Sequence, residues 1–312
     1  MRWKDLFRLV KETTYGWLGG SSFQFGAALA FYASFALAPT LLIAMAVAGL
    51  LFGQDAARGQ VHALLEETTG PLVAKAIADM LTYVHVSRTG WTATLVGVGF
   101  VLFAATGMFA QLQMALNSIW GVQNKPGQGL WGMLRGRCFA FLLLIAIGAL
   151  LLLLLIANTV LVALETYLPD SDWSGQRYVW EGVNWLLLLG LQTLFFVMTY
   201  KLLPDVIITW REVWIGAAIT AVLFAFGNFL MSHSLCRVAG EFAYGAAGSL
   251  VVVMFWVYYS SQVVLFGAEF TMHFANRCGR PIRPADYAMC RPGAPHVLKE
   301  TSKVFVVTEP ET

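Results

Sequence analysis

Cys138–Leu164 reads CFAFLLLIAIGALLLLLLIANTVLVAL, twenty-seven residues without one Asp, Glu, Lys, Arg or His. Wound as an α-helix at about 1.5 Å per residue, such a block exceeds the ~30 Å hydrocarbon core of a bilayer. It reads as a membrane span. On either side, five more stretches have the length and apolar character of spans: Gly26–Phe52, Trp91–Leu116, Val183–Leu203, Val213–Ser232 and Ala247–Phe274. The whole chain agrees with this. Hydrophobic residues make up 58% of its 312 positions, charged residues 12%, and the mean hydropathy is +0.67. Soluble domains carry about 25% charged residues. The expected fold class is therefore all-α, a polytopic membrane helical bundle of six transmembrane helices with short amphipathic interfacial helices.

The first span lacks the short apolar region and A-x-A site of a signal peptide, so it reads as a retained helix. Lys and Arg set the orientation. Fifteen of the twenty fall in the N-terminal segment, the second and fourth loops and the tail, and five on the opposite side. The excess places both termini in the cytoplasm, and the only cysteine on the outer side is then Cys236, which leaves no outward disulfide pair. Residues 1–25 form a cytoplasmic amphipathic helix. Trp3, Leu6, Phe7, Val10 and Trp17 share one face and Lys4, Arg8 and Lys11 another, the pattern of a helix lying on an anionic leaflet. Residues 26–276 form the transmembrane domain. Within it, the external segment 54–90 is too polar to span. Val61, Leu64 and Leu65, then Ile77, Met80, Leu81 and Val84, flank Gly70-Pro71 at helical spacing, which suggests two short helices across the outer face. Residues 277–312 are rich in Pro and charge and read as a disordered cytoplasmic tail.

Polar groups inside a bilayer are costly and are functional candidates by default. In the last span Tyr258, Gln262, Glu269 and His273 fall within an arc of roughly 60° at about 100° per residue. Glu269 is the only acidic residue between Ala247 and Phe274. The alternative for Glu269 is a pairing with Arg277 or Arg280 that fixes the helix end. In the second span Thr92, Gly99, Thr106, Gln113 and Asn117 recur at intervals of 7, 7, 7 and 4. Both stripes are expected to face the bundle interior. Pro39 lies mid-span, where it kinks the helix and could line a gate. Gly216, Thr220 and Gly227 share a face and suggest close helix packing. Trp120, Trp131, Trp210 and Trp214 fall near span boundaries and read as interfacial anchors.

Five blocks, AALAFYASFALAP (Ala27–Pro39), GLLFGQDAARG (Gly49–Gly59), ALNSIWGV (Ala115–Val122), YKLLPD (Tyr200–Asp205) and GSLVVVMFWVYYSSQVVLFGAEFT (Gly248–Thr271), follow in order along the chain. In these the sequence resembles the YihY/virulence factor BrkB family of bacterial inner-membrane proteins, historically labelled ribonuclease BN-like, over about residues 5–280. The resemblance implies a six-helix inner-membrane protein and brings no settled activity. The old ribonuclease label finds no chemistry here. A nuclease needs metal ligands or acid–base groups and a basic groove. His62, His85, His233, His273 and His296 show no i,i+2 or i,i+4 pairing with one another, no H-x-H-x-D cluster exists, and the net charge is only +2. No nucleic-acid partner, no metal site, no cofactor and no catalytic group is expected.

Three readings of function remain. The first is handling or transport of lipid or another amphiphile for the cell envelope, with membrane lipids as partners; no Walker pattern for nucleotide is present. The second is a proton- or cation-coupled transporter using Glu269. The third is a membrane scaffold that binds an envelope protein through segment 54–90. The oligomeric state stays open.

Overall fold

A computed structural model describes residues 3–35, 107–125, 176–238, 245–278, 282–285 and 287–291, with isolated helical positions between 59 and 99. Cys138–Leu164, most of the second span, Pro39, Thr92, Thr106, Trp131 and Arg280 lie outside the described residues. We label the helices α1 (Trp3–Gly19), α2 (22–35), α3 (107–119), α4 (Gln176–Leu202), α5 (Trp210–Val238) and α6 (Gly245–Arg277). The strands are β1 (Val122–Asn124), β2 (Val206–Ile207), β3 (Arg283–Pro284) and β4 (Ala288–Cys290). Within α4, α5 and α6, Gly182–Leu202, Trp210–Met231 and Leu250–Arg277 are long and apolar enough to cross a membrane. They coincide with the last three expected spans.

Helix ends follow local chemistry. Ser21 precedes α2 and accepts a hydrogen bond from Phe25 N–H at 3.0 Å, closing its first turn. Pro204 cannot continue α4, which stops at Leu202. Thr209-Trp210-Arg211-Glu212 has the S/T-x-x-E pattern of a capping box and opens α5. Gly121 has φ 66°, the left-handed conformation that ends many helices and that glycine adopts without penalty. It turns the chain from α3 into β1.

α5 packs against both α4 and α6, and α1 lies along α6. The α5–α6 seam is close because of small residues. A Cβ on Gly216 would collide with Thr271, one on Gly267 with Thr220, and one on Gly227 with Tyr259. The two threonines return their hydroxyls to their own helices, Thr220 to Gly216 O at 2.8 Å and Thr271 to Gly267 O at 2.7 Å. Gly216, Thr220 and Gly227 thus serve the close packing that their spacing anticipates. The main core joins Leu29, Leu116, Trp120, Phe196, Val213 and Met272. A second core sets Val73, Ala76 and Ile77, from the segment 54–90, against Ala30 and Ala33 of α2 and Val253 and Val257 of α6.

One end of the bundle gathers α1, the α3–β1 turn, the α4–α5 connection and the residues after α6. β1 pairs antiparallel with β4 (Val122 opposite Cys290), and β2 with β3 (Val206 opposite Pro284). Two expectations are corrected here. Arg283–Pro284 and Ala288–Cys290 form strands, although the sequence from 277 onward reads as disordered. Short strands close on backbone bonds, such as Arg291 N–H to Gly121 O at 2.8 Å, which composition does not report. Trp120 is not an interfacial anchor: it is 1% exposed and sets its ring edge-on to Tyr200 at 6.4 Å. The turn at Gly121 folds β1 over it. Trp210 and Trp214 are exposed, as anchors require.

Candidate intramembrane polar site

Among the described residues the polar stripe of α6 faces other helices. It lies under α1 and the start of α2. Gln262, Glu269 and His273 are buried, and Tyr258 is half-buried beside them. His273 Nε2 stands 3.8 Å from Glu269 Oε2, one helical turn away. That separation is an electrostatic contact rather than a direct hydrogen bond. Gly16 of α1 lies against both groups: a Cβ there would be 2.9 Å from Glu269 Oε2 and 3.2 Å from His273 Nε2. Glycine is what lets the α1 backbone come this close.

About two turns up α6 from Glu269, Trp17 Nε1 donates to Gln262 Oε1 at 3.0 Å, and Gln262 Nε2 donates to Ser22 O at 3.3 Å. Gln262 thereby reads both sides of the α1–α2 turn. Trp17 also packs on Phe23 and Phe266, with ring centroids 4.8 and 6.1 Å apart. At the other end, Arg277 Nη2 donates to Glu12 Oε2 and Nη1 to Asp5 O, both at 2.8 Å. The alternative pairing of Glu269 with Arg277 is therefore overturned. Arg277 reaches α1, and the ion-pair partner of Glu269 among the described residues is His273.

The second-span stripe meets a different group. Asn117 Nδ2 donates to Asp205 Oδ2 at 2.7 Å, and Gln113 Nε2 to Asp205 Oδ1 at 3.1 Å. Asp205 N–H returns a bond to Asn117 Oδ1 at 2.9 Å, and Asp205 O accepts from Ala285 N–H at 3.0 Å. Asp205 thus ties the α4–α5 connection to α3 through its buried carboxylate and to Ala285, just after β3, through its backbone carbonyl. Beside it, Lys201 donates its ammonium to Ile208 O and stands 5.4 Å over the Trp210 ring. The two stripes consequently do not converge: Gln113 and Asn117 build a structural junction, whereas Gln262, Glu269 and His273 form a covered polar strip. Gly99, the remaining described member of the second stripe, meets nothing nearby. Thr106 and Pro39 fall outside the described residues.

Sequence reasoning missed Asp205 as a junction and Glu12, Gly16 and Trp17 as parts of the site. A signal for α1 existed: Asp5, Leu9, Glu12 and Gly16 recur at intervals of 4, 3 and 4, a second face distinct from the apolar one. Among the described residues no three His, Cys, Asp or Glu side chains stand together as a metal would require. What the strip does offer is an acid and an imidazole 3.8 Å apart, within reach of exchanging a proton through one intervening water.

Long apolar helices packed through glycine seams, with a buried polar strip on one of them, define an α-helical integral membrane protein. The family model of the Virulence factor BrkB matches residues 15–288, and the chain belongs to that family. It is 24% identical over 248 residues to a UPF0761 membrane protein of Alcanivorax borkumensis, covering 79% of this chain and 55% of that protein. To a UPF0761 membrane protein of Verminephrobacter eiseniae it is 26% identical over 283 residues, 88% of this chain and 63% of the relative. A UPF0761 membrane protein of Pseudomonas aeruginosa is 25% identical over 251 residues, 80% and 58% respectively. The chain thus spans between half and two thirds of the length of these curated relatives. No solved structure matches it.

Proposed function

We propose that the chain is a six-span protein of the bacterial inner membrane, both termini cytoplasmic, that couples proton exchange at Glu269 and His273 to transport. The topology rests on two supports. Charge counting puts the N-terminus, the loop after α3, the α4–α5 connection and the tail on the basic side, and these same four segments meet at one end of the bundle. Each excursion between them is then an even number of crossings, and Cys138–Leu164 supplies the ascent before α4.

The observation that carries the transport reading is the burial of Glu269 beside His273 in a helix that otherwise reads as a span. A carboxylate at bilayer depth is costly to keep, and such groups mark proton and ion paths. Arg277, the described arginine beyond Glu269 on α6, is engaged by Glu12 and Asp5 O of α1 rather than by Glu269. A static helix anchor would place that cation on the acid. The test is proton movement in liposomes of bacterial membrane lipid, which supplies amphiphilic substrates. Dissipation of a pH step faster than in empty liposomes, lost in Glu269→Gln, supports the reading; no difference from empty liposomes removes it.

Amphiphile handling, as the transported class, is favoured by a separate observation. An open apolar face runs along α4 beside Val183, Leu186, Gly190 and Leu194. Scrambling of fluorescent phospholipids by the reconstituted protein tests it. The envelope-partner reading draws less support. The described part of segment 54–90 turns Val73, Ala76 and Ile77 inward, so that apolar face is occupied by the bundle itself.

A further inference from the structure

α1 is held to the bundle along a narrow face. Leu9 and Thr13 are fully buried there, and the Thr13 hydroxyl turns back to Leu9 O at 2.9 Å rather than toward α6. By contrast Leu6, Phe7, Val10, Tyr15 and Leu18 are exposed, Phe7 by 72%. Most of the apolar surface of α1 therefore points away from the protein that it covers. Arg8 and Lys11 are exposed on the same helix. Apolar and basic flanks together suit the interfacial zone of an anionic leaflet, which gives α1 a second place to rest. The contacts with α6 include an ion pair and hydrogen bonds, Arg277 to Glu12 and Asp5 O and Trp17 to Gln262, beside the packing of Trp17 on Phe266.

The link to the rest of the chain is also built for movement. α1 ends at Gly19, followed by Gly20 and Ser21 before α2 begins. Nothing lies within 4 Å of a Cβ placed on Gly19, whereas one on Gly20 would stand 3.0 Å from Gly16 O, so the free space of the link is at Gly19. What this helix covers is the Glu269–His273 pair, with the Gly16 backbone laid directly on it.

We propose that α1 is a lid: it swings about Gly19-Gly20 between α6 and the leaflet, opening Glu269 and His273 to the aqueous side, and the Arg277–Glu12 ion pair is its latch. The proposal deepens the transport reading and rests on it, since a lid has a purpose only over a working site. It makes α1 a two-state element with its own docking surface in each state.

The test is thiol labelling in proteoliposomes, on a background in which the four native cysteines are replaced by Ser. The Thr13→Cys variant reports the covered face, and Tyr15→Cys, on the exposed face, is the reference. With the latch intact, a water-soluble maleimide should react with the Thr13→Cys variant far more slowly than with the reference. Adding Arg277→Gln, or Gly16→Ala, whose Cβ pushes against Glu269, should speed labelling of the Thr13→Cys variant roughly fivefold and leave the reference unchanged. The exchange Glu12→Arg with Arg277→Glu should restore protection. Should Thr13→Cys not reach the membrane, Leu9→Cys replaces it. Equal labelling of covered and reference positions, or protection indifferent to the latch, overturns the lid. The outcomes stay separable from transport: latch-dependent labelling with Glu269-independent flux would keep the lid and drop the transport reading, and the reverse pattern would do the opposite.

Discussion

Asp205→Ala is the sharpest structural perturbation that the fold offers. Asp205 is 4% exposed and accepts from Asn117 Nδ2 at 2.7 Å and Gln113 Nε2 at 3.1 Å. Removing the carboxylate strands both amides. Asn117 is buried and cannot turn to water, so its loss approaches the full value of a charge-assisted bond, about 2–3 kcal/mol. Gln113 is half-buried and can be rescued by solvent, which leaves about 0.5–1 kcal/mol. The sum is about 3 kcal/mol, or a fall in Tm of about 6–12 °C at the usual conversion for larger chains. Asp205→Asn keeps one acceptor oxygen and the backbone bond to Asn117 Oδ1, and should cost about half as much. Thermal unfolding of the detergent-solubilised protein, followed by tryptophan fluorescence, measures both. Asn117→Ala completes a double-mutant cycle whose coupling should be about 2 kcal/mol. Asp205→Ala melting within about 2 °C of the parent, or a cycle with no coupling, would refute the junction.

Other expectations follow from the same packing. Gly216→Ala places a Cβ onto Thr271 and should destabilise the protein by about 1–3 kcal/mol, whereas Gly190→Ala meets open space and should be neutral or slightly stabilising; melting curves of the pair separate the two. Trp120 is buried and its Nε1 has no hydrogen-bond partner, so Trp120→Phe should cost less than about 1.5 kcal/mol and Trp120→Ala about 3–5 kcal/mol by the same measurement. Met289 sits opposite Gln123 in the β1–β4 ladder. Met289→Pro removes an N–H from that ladder and should lower Tm clearly more than Met289→Ala does.

The last three spans and the α6 stripe were legible because each is a single-helix pattern. Hydropathy over twenty residues and a period of 3.6 need no knowledge of partners, and Gln262, Glu269 and His273 do lie buried on one face. What covers that face was not legible. α1 has two usable faces, and an amphipathic pattern says only that one is apolar; Glu12 and Gly16 mark the docked face through contacts with Arg277, Glu269 and His273 at the far end of the sequence. Asp205 stands in the sequence only as the end of the YKLLPD block, because its partners Asn117 and Gln113 are 88 and 92 residues distant. Nothing local distinguishes a buried loop carboxylate from an exposed one. Trp120 failed for a related reason, since it packs against Tyr200, 80 residues further along the chain.

The central claim is that Glu269 exchanges protons as part of transport, and proton flux tests it most directly. Wild type, Glu269→Gln and His273→Gln would be reconstituted at equal protein content in membrane-lipid liposomes carrying an internal pH dye, with folding checked by Tm. The account predicts that an imposed pH step relaxes faster with the wild type than in empty liposomes, that Glu269→Gln removes the excess, and that His273→Gln reduces it. Wild-type flux equal to that of empty liposomes, or a folded Glu269→Gln variant that conducts as well as the parent, would contradict it.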